Sequence, residues 1–254
     1  MAPLIPARIA AGRFFFRWRS YLPYLLALPL IVALPQSGWF ESAFGEAAET
    51  AWDLFSSLVA FAGLAIRIVT IGHTPAGTSG RNTQSQRAET LNTTGLYSVV
   101  RNPLYLGNTV IVLGLALAMK VWWVTPLALA ATWFFYARVI AAEEAFLSGK
   151  FGAAYDAWRA VTPVIVPDPG MWRSPALPFS LRNVLRREYN GFYQIVFGLT
   201  ALEVATDMIG EGVGFAEFAA EDQHWLWFFA AGTLVWVVLR AIKKHTDLLR
   251  VEGR

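Results

Sequence analysis

Apolar residues run along this chain in long unbroken blocks, and the polar residues between them are gathered into a few loops. Six blocks, at 21–35, 52–71, 104–119, 121–141, 189–209 and 225–242, approach or reach the roughly 20 residues that a helix needs to cross a bilayer. The first and third are short, so their ends are expected to stop in the interface or to cross only in part. Lys120 alone separates the third from the fourth, which predicts a tight hairpin with a buried tip. Trp18, Tyr21, Trp39, Trp52, Trp122, Trp123, Tyr189, Trp225 and Trp227 sit at block ends, as interfacial aromatic belts do. The pattern predicts an all-α, polytopic membrane bundle of about six helices. It forms one membrane domain without an internal repeat: N-terminal helices over 1–72, a core over 73–167, and a Pro-rich segment with two helices over 168–254.

Composition agrees with that class. The chain is 56% hydrophobic and only 15% charged, against about 25% charged in soluble domains. With no cysteine there is no disulfide, no thiolate nucleophile and no cysteine-ligated metal. His73, His224 and His245 are too scattered to suggest a metal site, and nothing in the pattern points to nucleic acid.

The distribution of charge says more than its sum. Of the 21 Lys and Arg, all but Arg67 and Lys120 fall before the first block, between the second and third, between the fourth and fifth, or after the sixth, counting Arg138 and Arg240 in the last turn of the fourth and sixth blocks. The intervening loops, 36–51 and 210–224, hold Glu41, Glu46, Glu49, Glu211, Glu217, Glu221 and Asp222 and no Lys or Arg. The positive-inside rule then places both termini and the basic loops in the cytoplasm, in a multi-pass protein of a bacterial inner membrane. Arg8, Arg13, Arg17 and Arg19 before a short apolar run also fit a signal peptide. The prolines at 23, 29 and 35 and the lack of a clean cleavage site favour a retained first helix.

Two basic loops carry the candidate chemistry. In the first, Gly95, Tyr97, Arg101, Asn102, Pro103, Tyr105 and Gly107 mark a polar loop running into an apolar helix. Pro103 suits a first helical turn, where its missing N–H costs nothing. Asn102 is then a candidate N-cap whose side chain would bond free backbone donors. Gly107 and Gly114 let a helix or a ligand approach the backbone closely. In the second, Glu143 and Glu144 lie near the end of the fourth block, expected at Ala141, where acids meet the negative end of a helix dipole and want a cationic partner. Adjacent helical residues diverge by about 100°, so the two carboxylates cannot face one atom. Phe151, Tyr155 and Trp158 follow at helical spacing and suit an interfacial anchor or, alternatively, a cover over a ligand. Prolines at 163, 167, 169, 175 and 178 bar a longer helix.

Taken in order, Gly95-x-Tyr97, Arg101-x-Pro103-x-Tyr105-x-Gly107, Glu143-Glu144-x-x-Leu147, Phe151-Gly152-x-x-Tyr155-x-x-Trp158 and Val161-x-Pro163, with Pro167 beyond, resemble the isoprenylcysteine carboxyl methyltransferase and phospholipid methyltransferase group. The resemblance covers less than a third of the chain. It implies an integral-membrane enzyme that uses S-adenosylmethionine, releases S-adenosylhomocysteine, and works on a lipid-linked acceptor at the cytoplasmic face, with no metal. By the same resemblance Gly72, His73, Tyr97, Arg101, Asn102, Pro103, Tyr105, Gly107, Glu143 and Glu144 would shape the cofactor pocket. Arg101, Asn102 and Glu143 would stand nearest the reaction. Many carboxyl methyltransferase relatives carry His where this chain has Asn102, and Asn serves only by hydrogen bonding.

The acceptor is read from the surrounding charge. Arg81, Arg87 and Arg187, with Tyr155 and Trp158, are candidate substrate contacts, since Arg suits bidentate binding of phosphate. Their density and Asn102 favour a phospholipid headgroup such as phosphatidylethanolamine over a prenylated cysteine carboxylate or a lipid phosphate. Membrane sterol reductases share a similar Arg-x-Pro-x-Tyr-x-Gly helix start but use NADPH, whose phosphate the paired acids would repel.

Overall fold

A computed structural model of the chain describes residues 27–75 and 89–253, and among these every regular element is helical. In chain order they are α1 (Ala27–Ala33), α2 (Trp39–Phe44), α3 (Glu46–Gly72), α4 (Leu96–Val99), α5 (Pro103–Ala118), α6 (Val124–Phe151), α7 (Ala153–Val161), α8 (Leu181–Ala205), α9 (Phe215–Glu221) and α10 (Gln223–His245). A π-turn, Thr206–Glu211, extends α8. Four of these, α3, α6, α8 with its π-turn, and α10, are long and apolar enough to cross a membrane. The expected six is therefore met in part: α5 is a 16-residue apolar helix, and of the first block only 27–35 are described, where α1 is seven residues long.

Helices α3 and α5 form the tightest pair, and glycine is the reason. A Cβ on Gly63 would come 2.5 Å from the Gly107 carbonyl oxygen, and one on Gly114 would come 2.4 Å from the Ala60 nitrogen. Without those Cβ atoms the two backbones touch, so what approaches Gly107 and Gly114 is a helix rather than a ligand. Helix α8 packs on both, and α10 packs on α8, where Gly232 admits the Val196 side chain. Helix α6 leans on α5. The buried centre gathers Ala60, Leu64, Ile195, Leu199, Phe218 and Trp225.

The α5–α6 hairpin is as tight as Lys120 predicts. Lys120 adopts φ 57° and is 4% exposed. Carbonyls at the end of α5 and in the turn accept from indoles: Trp52 donates to Leu117 O at 2.9 Å and Trp39 to Lys120 O at 2.6 Å. These two tryptophans thus also cap a helix end, beyond the belt role expected of them.

Helix α6 continues through Ala141 to Phe151, which corrects the expected end of the fourth block. Glu143 and Glu144 stand two turns inside it, clear of the negative terminus, so the dipole does not set their need for a partner. Gly152, at φ 54°, then breaks the chain into α7. Phe151 therefore belongs to a different helix from Tyr155 and Trp158, and the three rings share no common face.

Candidate functional site

The first basic loop is held in shape by a Pro-rich strap. Gly95, at φ 59°, opens α4 and donates from its N–H to Arg173 O at 2.9 Å. Ser98 Oγ accepts the Arg173 N–H at 2.9 Å, and Asp168 N–H reaches Val99 O at 2.9 Å. Arg101 N–H donates to Pro163 O at 2.8 Å, and the Asn102 amide to Val164 O at 2.9 Å. The prolines bar an α-helix over 162–173, which holds only a 3-10 turn at Pro169–Met171, so carbonyls and remaining N–H groups are left to bond the loop. Pro103 does start α5, but Asn102 spends its amide on the strap and makes no side-chain cap. This corrects the capping expectation: tertiary contact competes for the same side chain and wins.

Helix α5 then carries Tyr105 to α6. The Tyr105 hydroxyl donates to Glu143 Oε1 at 2.8 Å, and its ring stacks on buried Tyr136 at 4.7 Å. Arg101 Nη1 meets Glu144 Oε1 at 2.7 Å, with both side chains mostly buried. The two acids diverge as helical neighbours must, and each finds its own partner on the loop-to-helix join. Residues about 40 apart in sequence close one polar cluster.

Helix α7 covers that cluster from the strap side. Tyr155 is 1% exposed and packs beside Trp158, whose indole N–H reaches Tyr97 O at 3.2 Å. Tyr155 itself is thus withdrawn from any membrane interface and packs over the cluster, while Phe151 and Trp158 remain partly exposed. Burial pushes the Tyr155 hydroxyl well above the usual tyrosine range, and the Glu144 charge adds to it. The Tyr97 hydroxyl is pushed up to about 12, chiefly by burial and then by Glu143, with Arg187 and Arg67 opposing. Both phenols are therefore neutral donors at physiological pH.

Other expected residues fall elsewhere. Gly107 is buried against Arg67 Cγ and Gly63, facing α3. Gly72 lies under the Phe179 ring, where a Cβ would come within 2.3 Å of it. His73 Nδ1 pairs with Leu177 O at 2.8 Å, so both residues fasten the Pro-rich segment. Arg187 is half-buried near Tyr97, while Arg81 and Arg87 lie outside the described residues. Two cavities, one of about 490 Å³ lined by Phe197, Val204, Met208 and Phe229, the other of about 400 Å³ beside Trp39 and Trp122, are away from this cluster.

The paired acids meeting the proline-capped helix start are the arrangement by which the chain can be compared with known proteins. Residues 54–154 match the phospholipid methyltransferase family. The match spans α3, the motif loop, α5, α6 and the start of α7, less than half of the chain. It supports a membrane methyltransferase that acts on phospholipids. No curated protein and no solved structure matches the chain.

The match also takes in Arg67 and Asn108, which the spacing of residues did not bring forward. Arg67 on α3 forks onto Glu188 of α8, Nε to Oε2 at 2.7 Å and Nη2 to Oε1 at 2.8 Å, and donates from Nη1 to Asn108 Oδ1 of α5 at 2.6 Å. A lone arginine within the second apolar block was the available signal, because charge within a membrane span is costly and seldom idle.

Proposed function

We propose that the chain methylates the headgroup amine of a membrane phospholipid such as phosphatidylethanolamine, with S-adenosylmethionine as donor, at the cytoplasmic leaflet. One observation carries the reading: Arg101, Tyr105, Glu143 and Glu144 converge in a half-buried cluster beside the strap and α7. Its charges fit the donor. Two carboxylates suit an ammonium and ribose hydroxyls, while Arg101 suits a carboxylate and keeps its buried Nε without a hydrogen-bond partner.

When bound, S-adenosylmethionine supplies an electrophilic methyl on a cationic sulfur. The protein's part is mostly to hold: proximity and orientation supply roughly 7–11 kcal/mol to such a transfer. Arg101 and Glu144 would fix the amino-acid end, Glu143 and Tyr105 the neighbouring polar groups, and Asn102 would act through hydrogen bonds alone. The stacked Tyr105 and Tyr136 rings present aromatic faces suited to a cation. Arg187 would meet a lipid phosphate, as Arg81 and Arg87 are expected to do by their sequence positions. The excess of Lys and Arg in the loops at this end supports a cytoplasmic orientation.

Calorimetry of the detergent-purified chain against S-adenosylmethionine, S-adenosylhomocysteine and NADPH tests the donor. Binding of the first two is expected, and binding of NADPH alone would overturn the reading. Mass spectrometry of a lipid extract incubated with protein and donor tests the acceptor, with a gain of one methylene equivalent expected on phosphatidylethanolamine.

A further inference from the structure

We infer that Arg67 is a positioning residue for the methyl-donor site, setting it through its contacts with Asn108 and Glu188 rather than by touching donor or acceptor. The inference rests on the reading that the motif cluster binds S-adenosylmethionine.

Stability alone accounts poorly for the Arg67 node. Its side chains are 14% and 4% exposed at Arg67 and Glu188, so both charges have lost most of their water. Replacing such a buried pair by apolar side chains of similar size is often neutral or stabilising. What the pair gives is geometry, because a guanidinium fork accepts partners in fixed directions only. Here every direction leads to an element that carries the site.

One arm goes to α5. Asn108 stands three residues after Tyr105, and the stem of Arg67 passes over Gly107, where a Cβ would come 2.6 Å from Arg67 Cγ. The helix start that presents Arg101, Asn102 and Tyr105 is therefore pinned against α3 at its first two turns. Two arms go to α8 through Glu188, the neighbour of Arg187. Arg67 and Arg187 both oppose the upward push of burial on the Tyr97 hydroxyl, so the charge of the node is felt at the motif loop. Gly191 leaves room for the Glu188 carboxylate, since a Cβ there would sit 3.2 Å from Oε2. The node thus fixes the spacing between α5, which carries the cluster, and α8, which carries Arg187.

The decisive variant removes both charges at once, Arg67→Met with Glu188→Leu, in the full-length chain in detergent. Thermal stability is expected to hold or rise, while the KM for S-adenosylmethionine and the Kd for S-adenosylhomocysteine rise about tenfold or more, because small displacements of positioning groups cost up to about a hundredfold. The KM for the lipid acceptor is expected to change far less. A folded double variant whose donor KM and kcat stay near wild type would overturn the inference. Should that variant fail to fold, Asn108→Leu leaves the Arg67–Glu188 pair intact and frees only the α5 arm. It is expected to weaken donor binding in the same direction, and unchanged donor binding there would overturn the inference equally. Wild-type protein that fails to bind S-adenosylhomocysteine overturns the functional reading and this inference with it. Wild type that binds, beside variants that bind as tightly, overturns the inference alone.

Discussion

Replacing Lys120 by Met should unfold the far end of the bundle more readily than any other single change of comparable size. The ammonium sits 2.5 Å from Glu49 Oε1, 3.0 Å from Asp53 Oδ2 and 3.6 Å from Glu203 Oε2, with a side chain 1% exposed. Methionine keeps the stem and tolerates the backbone as lysine does, so only the charge is lost. Three carboxylates from α3 and α8 then face one another without a counter-charge. Removing one partner of a buried ion pair costs about 3–5 kcal/mol. For a chain of this size that is about 6–20 °C in Tm. Thermal unfolding in detergent, followed at neutral pH and at about pH 5, measures it. The loss should be full at neutral pH and partly recovered in acid, where the stranded carboxylates can take up protons. In the wild type, burial by itself would pull the Lys120 ammonium down, but Glu203, Asp53 and Glu49 outweigh it and hold its pKa above the ordinary lysine range. A raised lysine pKa stabilises fully below the unfolded value of about 10.4 and is lost only as pH climbs through the folded one. A variant within about 2 °C of wild type at neutral pH, or one whose loss deepens in acid, would refute the ion-cluster account.

Three further outcomes follow from the same contacts. Tyr105→Phe removes the hydroxyl bond to the Glu143 carboxylate and should weaken S-adenosylhomocysteine binding by about 10–150-fold, from about 1.5–3 kcal/mol for a bond to a charged group, as read by calorimetry. Gly114→Ala forces a methyl into the Ala60 backbone and should lower stability by about 1–3 kcal/mol, read as a lower Tm. With the Tyr97 hydroxyl pushed up to about 12, that group stays neutral across the working range, so Tyr97→Phe should leave the pH profile of donor binding unshifted below about pH 10. Its raised pKa favours the protonated folded state, so wild-type stability should fall from about pH 10 to 12, and Tyr97→Phe should remove that part of the fall.

Much of the site was legible along the chain. The Arg101–Gly107 stretch and the paired glutamates stood out because polar groups at the ends of apolar helices are costly, and they do meet. The role of α7 was not legible, because periodicity treats 151–158 as one helix whereas the positive φ of Gly152 divides it. Asn102 looked like an N-cap since a cap is a local interaction, and the strap that captures it begins some 60 residues later. Gly107 and Gly72 were read toward a ligand, and a missing Cβ does not say which neighbour fills the space.

The sequence by itself determined that this chain is a helical membrane protein, which loops lie at which end, and which family it resembles. Hydrophobic length, charge placement and short motifs are properties of consecutive residues, and the bilayer reads them in that order. Only the tertiary structure decided who partners whom: Glu144 with Arg101, Glu143 with Tyr105, Arg67 with Glu188 and Asn108, and Lys120 with three acids. Those pairings depend on how closely α3, α5 and α8 approach and on how they are rotated. Glycine contacts and packing set both, over separations at which no local pattern carries information.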